Sequence, residues 1–543
     1  MVPGAEMSLG WHLVVIVAGI VSIAILSTAE LPLRNAHDRL RERFILGVPW
    51  GSAVVVGILF FVYLFVQHGW WHYNRPVIVA YTAVSMFDPT GWLFAGLAHT
   101  SPGHLRGNVT TTLVFAPIVE YAWGHYQQRD RYPWEPRWMH RPVVRAVVIF
   151  PAAVVSVAIA AALFSWGPVI GFSVAAFALI GAALVHYPII ALGALVARST
   201  VRVVWRTVSD PVVVSETAVR TVRPEWYGTA VQGHLVGLLL GAIIGIGLLR
   251  YHGRSVSPAR VFLGSLFAGF FLSVWAVWWV LGPEEFVLFR ALGVAIVLAI
   301  AAVIALAVGV NRPSVPWRQP LGPATGAFGA LILVVIGMGA IGVGLNFAVV
   351  DNPEQEPALE VEDYKILYGT DVPDGMINVI QLEAFGLTTD VRTSGVIVVS
   401  EERNVWRQMV SSTELETRGN ARFTVGGLGW SESVTVDRTG WTPVGNDTVY
   451  QVQLRTTDST VLAHQSEPKT AIPVLEQHEI GIAIEDEQFV IVVQSGDVTQ
   501  TFPMLEEGEN VTAGQLTIVR ENDTIIASTD GSSVPIADKE TYR

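Results

Sequence analysis

Cysteine is absent from the 543 residues, and lysine occurs three times, as Lys365, Lys469 and Lys539. Without thiols the chain has no disulfide framework, no Cys-x-x-Cys redox pair, no thiolate zinc site and no cysteine nucleophile. Any nucleophile must be oxygen or nitrogen. Charge is also scarce, at 15% of residues against roughly 25% in an average soluble protein. Hydrophobic residues make up 51% and mean hydropathy is +0.47, a composition that argues against an ordinary cytosolic enzyme of this length.

The charge that is present divides unevenly about Asp351. Before it stand 22 basic and 13 acidic residues, and from it onward 12 basic and 33 acidic, so the parts carry about +9 and −21 within a formal net charge of −12. An acid-rich, lysine-poor tail is a bias common in proteins of salt-loving archaea. Nucleic acid is a poor partner for such a surface.

Before Asp351, several stretches are apolar over roughly 18 or more residues, enough to cross about 30 Å of hydrocarbon. They run from Trp11 to Leu31, Leu46 to Val66, His104 to Gly124, Val143 to Phe164, Trp226 to Leu249, Val261 to Leu281, Phe286 to Val308 and Ala324 to Val349. Gly167 to Val204 is too long for one span, and Tyr187-Pro188 marks a junction between two. The expectation is about ten helices. The first stretch lacks a basic leader and a small-x-small cleavage site, so it reads as a retained helix rather than a signal peptide.

Arginine sets the orientation, because short cytoplasmic loops hold the excess positive charge. Arg34, Arg39, Arg41 and Arg43, then Arg129, Arg131, Arg137 and Arg141, then Arg250, Arg254 and Arg260 fall in loops that should be cytoplasmic. Glu284, Glu285 and both termini are then outside. The protein is expected in the cell membrane as a multi-pass chain with its acidic tail extracellular. Arg198 and Arg202 fall within an expected membrane helix and must snorkel or face protein.

Polar side chains at membrane depth are costly and so become functional candidates. His104 and Asn108 are four residues apart, one helical turn, on one face near the outer end of their helix. Glu120 and Gly124 follow at its inner end. Gly171-Phe172-Ser173 opens a later apolar run, and Gln232-Gly233-His234 opens another in which Gly237, Gly241 and Gly245 recur at intervals of four. Serine and glycine are also common packing residues in membrane helices, so each feature alone says little. His125 and His186 read as structural histidines near cytoplasmic ends.

Together these features resemble the rhomboid intramembrane serine proteases, here of a haloarchaeal type. The family's signatures are a His-x-x-x-Asn pair opening one helix, Glu-x-x-x-Gly near its end, Gly-x-Ser-Gly opening a later helix, and a histidine followed by glycine at its third and seventh positions. This chain has His104 with Asn108, Glu120 with Gly124, Gly171-Phe172-Ser173, and His234 with Gly237 and Gly241, in the same order over about Leu46 to Leu249. It departs at Val174, where the pattern has glycine. The loop from Gln67 to Ser101, with Trp70, Trp71, Tyr73, Phe87 and Trp92, corresponds to the family's long external loop.

The resemblance implies a Ser-His dyad, with Ser173 as nucleophile and His234 as the base that activates it. It also implies an oxyanion site of His104, Asn108 and the Ser173 amide, and a helix-tying role for Glu120. Packing and an aromatic neighbour would orient the histidine, since no carboxylate sits at a suitable depth. The glycine face of the histidine helix would meet Gly171 and Ala175 on the serine helix, so a bulky residue at Gly237 would separate the dyad. No cofactor or metal is implied. The partners would be single-span transmembrane substrates in the lipid bilayer.

From Asp351 the pattern changes to short alternating apolar runs such as Gly395 to Val399 and Phe489 to Val493, reading as one or two sandwich-like β domains. The fold class is thus an α-helical polytopic membrane protein, a rhomboid-like six-helix core with about four extra helices, and a C-terminal β-rich extracytoplasmic domain. The expected divisions are 1–45, an extra helix and basic loop; 46–255, the protease core; 256–350, additional helices; and 351–543, the acidic β domain, which could contact substrates or partners. The leading function is intramembrane serine endopeptidase. A catalytically inactive rhomboid-like binder of transmembrane clients and a transporter using midplane polar groups are the alternatives.

Overall fold

The computed structural model describes residues 13–14, 16–21, 33–126, 136–209, 230–280, 286–309, 322–350, 357–375, 391–472, 474–475 and 478–542. Most of the first expected span, Arg129, Arg131, Trp226, Glu284, Glu285 and the side chain of Arg202 lie outside them. The described residues fall into two compact units, one helical, with residues up to Trp279 and Phe286–Phe347, the other mainly Ala348–Arg543 together with Val280.

In the helical unit, α1 (Leu33–Arg43) precedes α2 (Trp50–Phe61), which runs on as a wider turn to Val66. After the long loop come α3 (Pro89–Ala95), α4 (Pro102–Trp123) and α5 (Phe150–Leu163). Next are α6 (Ser173–His186), α7 (Pro188–Ser209) and α8 (Val231–Tyr251). The unit closes with α9 (Pro258–Phe271), α10 (Arg290–Val308) and α11 (Pro323–Asn346). Among the described residues, four helices are long and apolar enough to cross a bilayer: Pro142–Leu163, Val231–Tyr251, Arg290–Val308 and Pro323–Asn346. The protein is a multi-pass membrane protein.

The run from Gly167 to Val204 divides into two helices at Tyr187, because Pro188 cannot supply the N–H that would continue α6. The expectation for Val261 to Leu281 needs correction. Its helix, α9, ends at Phe271, and Ser273 follows at a φ of +57°, a left-handed turn that stops a helix well short of 21 residues. Loop aromatics Trp70, Trp71, Tyr73 and Phe87 are exposed, as suits the membrane interface. Trp92 instead packs beside Ala83, Ala95 and Ala162.

The second unit is built of antiparallel sheets. Strands β1 (Leu359–Val361), β2 (Tyr364–Pro373), β3 (Arg392–Ser400) and β4 (Val405–Ser411) form a meander. A larger eight-stranded sheet and a third of four strands close over one core that includes Val449, Ile480, Ile482, Ile491, Ile518 and Ile525. Among the described residues of this unit the arrangement is three sheets, two of which share that core.

Candidate active site

Ser173 is the first residue of α6, half-buried between the buried Phe172 and Val174. Fourteen helical residues span about 21 Å, less than the roughly 30 Å of a hydrocarbon core, so one end of this helix stops inside the layer. The segment leading into it, the serine strand, is anchored by one isolated β-bridge. Val169 exchanges two backbone hydrogen bonds with Ala83, at 2.9 and 3.0 Å, and the Gly171 amide donates to the Ala95 carbonyl at 2.8 Å. Gly171 has a φ of +129°, and a Cβ there would lie 2.7 Å from His104 Nε2. Both the backbone conformation and the crowding demand glycine.

His234 occupies the first turns of α8, its amide donating to the Ala230 carbonyl at 2.9 Å. Its ring stacks on Phe177 at 4.1 Å between centroids and 13° between planes. Phe177 is one turn beyond Ser173 and shares its side of α6, so the stacked imidazole lies on the side of α6 that bears Ser173. Stacking holds the ring: among the described residues, no hydrogen bond joins it to Ser173 Oγ.

The two helices approach along glycine. A Cβ on Gly237 would fall on the Val174 carbonyl oxygen, one on Gly241 on the Ala178 carbonyl oxygen, and one on Gly245 3.1 Å from Val185 Cβ. The closeness is reciprocal, since a Cβ on Gly181 would meet the Leu238 carbonyl. The expected partners Gly171 and Ala175 are corrected by this geometry. Val174 and Ala178, spaced by four, form the stripe that faces α8, whereas Ala175 is about 100° further round the helix and Gly171 precedes it. Val174 therefore fits where glycine was expected, its side chain 3.3 Å from the place a Gly233 Cβ would take.

His104 and Asn108 lie on α4. Ser101 caps that helix by accepting the His104 amide at 3.2 Å, with Pro102 in its first turn. His104 Nδ1 and Thr100 Oγ1 are 3.1 Å apart, and Nε2 faces Gly171 beside the serine strand. Asn108 is buried, and its Nδ2 has no protein partner. Leaving such a donor unpaired costs about 1–3 kcal/mol, a cost that in native proteins calls for an explanation.

Behind His104 sits His99, fully buried, its ring edge-on to the His104 ring at 5.1 Å. Its backbone is fixed by Gln67, which accepts the His99 amide at 2.7 Å and donates to its carbonyl at 2.9 Å. Sequence spacing carried no sign of this pair, which is separated by 32 residues.

Glu120 lies elsewhere on α4. Its carboxylate accepts the amides of Gly51 and Ser52 at 2.7 and 2.8 Å and the Ser52 hydroxyl at 2.6 Å, at the start of α2. His125 Nε2 completes the set at 2.6 Å, while His125 Nδ1 accepts the Ile45 amide, leaving Nε2 as the protonated nitrogen. Gly124 ends α4 at a φ of +72°, and the buried Arg145 donates to its carbonyl at 3.2 Å. A carboxylate at a helix N-terminus complements its exposed amides and dipole. These residues tie helix ends together.

Ser173, His234, His104 and Asn108 thus come from three helices, and the serine strand and the glycine seam link those helices. Compared with known proteins, residues 87–251 match the model of the Rhomboid domain. That interval begins just before α3 and ends with α8, leaving α1, α2, α9 to α11 and the β unit outside it. No curated protein and no solved structure matches the chain.

Proposed function

From the premise that this chain is a rhomboid family protein, we propose that it is an intramembrane serine endopeptidase acting on single-span transmembrane substrates. Ser173 Oγ attacks the scissile carbonyl carbon as His234 takes its proton, giving a tetrahedral oxyanion. Collapse expels the amine, which receives that proton from His234, and leaves an acyl ester on Ser173. Water, deprotonated by His234, then hydrolyses the ester and restores the hydroxyl. Asn108 Nδ2, His104 Nε2–H and the Ser173 amide donate to the oxyanion.

One observation carries this reading above the others: the unpartnered, buried Asn108 Nδ2, one turn from a histidine that abuts the serine strand. On this reading substrate reaches Ser173 from the extracytoplasmic side. Purified protein in lipid vesicles should cleave a single-span test substrate, and Ser173→Ala and His234→Ala should each abolish cleavage. Full cleavage by Ser173→Ala would reject the proposal.

The second reading, an inactive client-binding relative, is favoured by the absence of a hydrogen bond between Ser173 Oγ and His234 among the described residues. Such contacts often tighten only when substrate is bound. A fluorophosphonate probe separates the readings, because labelling that requires both Ser173 and His234 belongs to the enzyme.

A further inference from the structure

Helix α11 lies outside the matched interval, yet one face of it grips the chain that leads to Ser173. Met338, Gly342 and Asn346 recur at intervals of four and so form a single stripe. The carbonyl of Met338 accepts Trp166 Nε1–H at 2.7 Å. A Cβ on Gly342 would fall on the Phe164 carbonyl oxygen and 2.9 Å from that of Ser165. Asn346, buried at 5% exposure, donates from Nδ2 to the carbonyls of Leu163 at 2.9 Å and Ser165 at 3.4 Å.

Those carbonyls are at the C-terminus of α5, where the helix has no partners of its own to offer. A side-chain amide supplies the missing donors. The backbone carbonyl of Asn346 also accepts the Met86 amide at 2.8 Å, and Met86 is three residues past Ala83, the partner of Val169. The segment from Leu163 to Val169 is therefore pinned at one end by α11 and at the other by a loop that α11 itself anchors.

We propose that Asn346 is a positioning residue for the serine nucleophile, fixing the strand that sets where Ser173 stands against His234. This inference rests on the reading of Ser173 as nucleophile. A strand freed at Ser165 lets Ser173 drift, and a displacement of about 1 Å far from the chemistry costs on the order of 100-fold in rate. The loss belongs in kcat rather than KM, because the stripe on α11 holds the enzyme's own strand.

The test uses the full-length protein in lipid vesicles, with Asn346→Ala to remove the donors and Trp166→Phe to cut the second tie from the strand side. Three quantities are read: kcat and KM on a single-span substrate, the rate of fluorophosphonate labelling at Ser173, and amide hydrogen exchange over residues 164–172. Each variant should lower kcat and labelling by roughly 10- to 100-fold, leave KM within about two-fold, and speed exchange in that segment. Wild-type labelling and wild-type exchange in both variants would overturn the proposal. If Asn346→Ala does not fold, Trp166→Phe decides. If the wild-type protein is never labelled at Ser173, the nucleophile reading has failed, and the exchange measurement still tests the clamp: faster exchange supports it and unchanged exchange overturns it.

Discussion

The imidazole of His234 lies flat on the ring of Phe177, 4.1 Å away and 13° from parallel. Under the proposed mechanism this contact orients the general base, since no carboxylate partner of the ring is found among the described residues. A stacked pair contributes about 0.5–1.5 kcal/mol beyond its buried area, so Phe177→Ala should lower kcat by roughly 2- to 12-fold with KM little changed. Steady-state kinetics on a transmembrane substrate measure it. Unaltered kcat would mean that another contact orients the ring.

Asn108 offers a separation of activity from stability. Its Nδ2 has no protein partner, so Asn108→Ala removes no hydrogen bond of that amide within the fold. The expected outcome is a rate loss on the order of 100- to 1000-fold, as for other oxyanion donors, at nearly wild-type resistance to denaturant. Comparing turnover with unfolding of the same preparation checks both halves.

The seam between α6 and α8 discriminates among glycines on one helix. Gly237→Val should abolish cleavage and destabilise by about 1–3 kcal/mol through overpacking, because its Cβ meets the Val174 carbonyl. Gly247 has nothing within 4 Å of an added Cβ, and Gly247→Ala should be neutral or stabilising by roughly 0.5–1 kcal/mol. Unfolding in detergent and substrate cleavage, run on both variants, test the contrast.

Removal of Glu120 should act on stability first. Glu120→Ala strands the amides of Gly51 and Ser52, the Ser52 hydroxyl and His125 Nε2, all buried, and breaking a buried charged network costs about 3–5 kcal/mol. Detergent-induced unfolding should shift accordingly, while the molecules that remain folded should label at Ser173 at the wild-type rate. Slow labelling of a fully folded variant would assign Glu120 a part in the chemistry.

In the β unit, burial first and then the Arg438 guanidinium hold His464 below the ordinary histidine pKa. The ring contacts Tyr368 and Tyr450 at 4.7 and 5.2 Å, and Arg438, paired with Glu540 at 2.8 Å, lies over Tyr450. A base depressed by folding binds its proton more readily when unfolded, so its contribution is complete above about pH 6.5 and lost as pH falls below it. Denaturation of the full-length protein followed by tryptophan fluorescence should show this decline, flattened in His464→Gln. An identical pH profile in the variant would remove His464 as its source.

Much of the architecture was legible because hydrophobicity is written along the chain. The apolar runs outlined the helices and the alternating runs outlined strands such as β3. Turn chemistry was legible in places, as at Tyr187-Pro188. It failed at Val261 to Leu281, where an apolar stretch long enough for a span breaks at Ser273, since hydropathy does not register a left-handed backbone turn.

The spacing of four between His104 and Asn108, and among the glycines from Gly233 to Gly245, was enough by itself to assign residues to common helix faces, because a helix repeats every 3.6 residues. It could not assign the face opposite. That Gly237 meets Val174 rather than Gly171, that Phe177 bears the His234 ring, that His99 lies behind His104 and that Asn346 reaches the strand before Ser173 were decided by the tertiary structure alone. Periodicity is a property of one helix, whereas these contacts depend on the relative rotation and depth of several, which only their mutual packing sets.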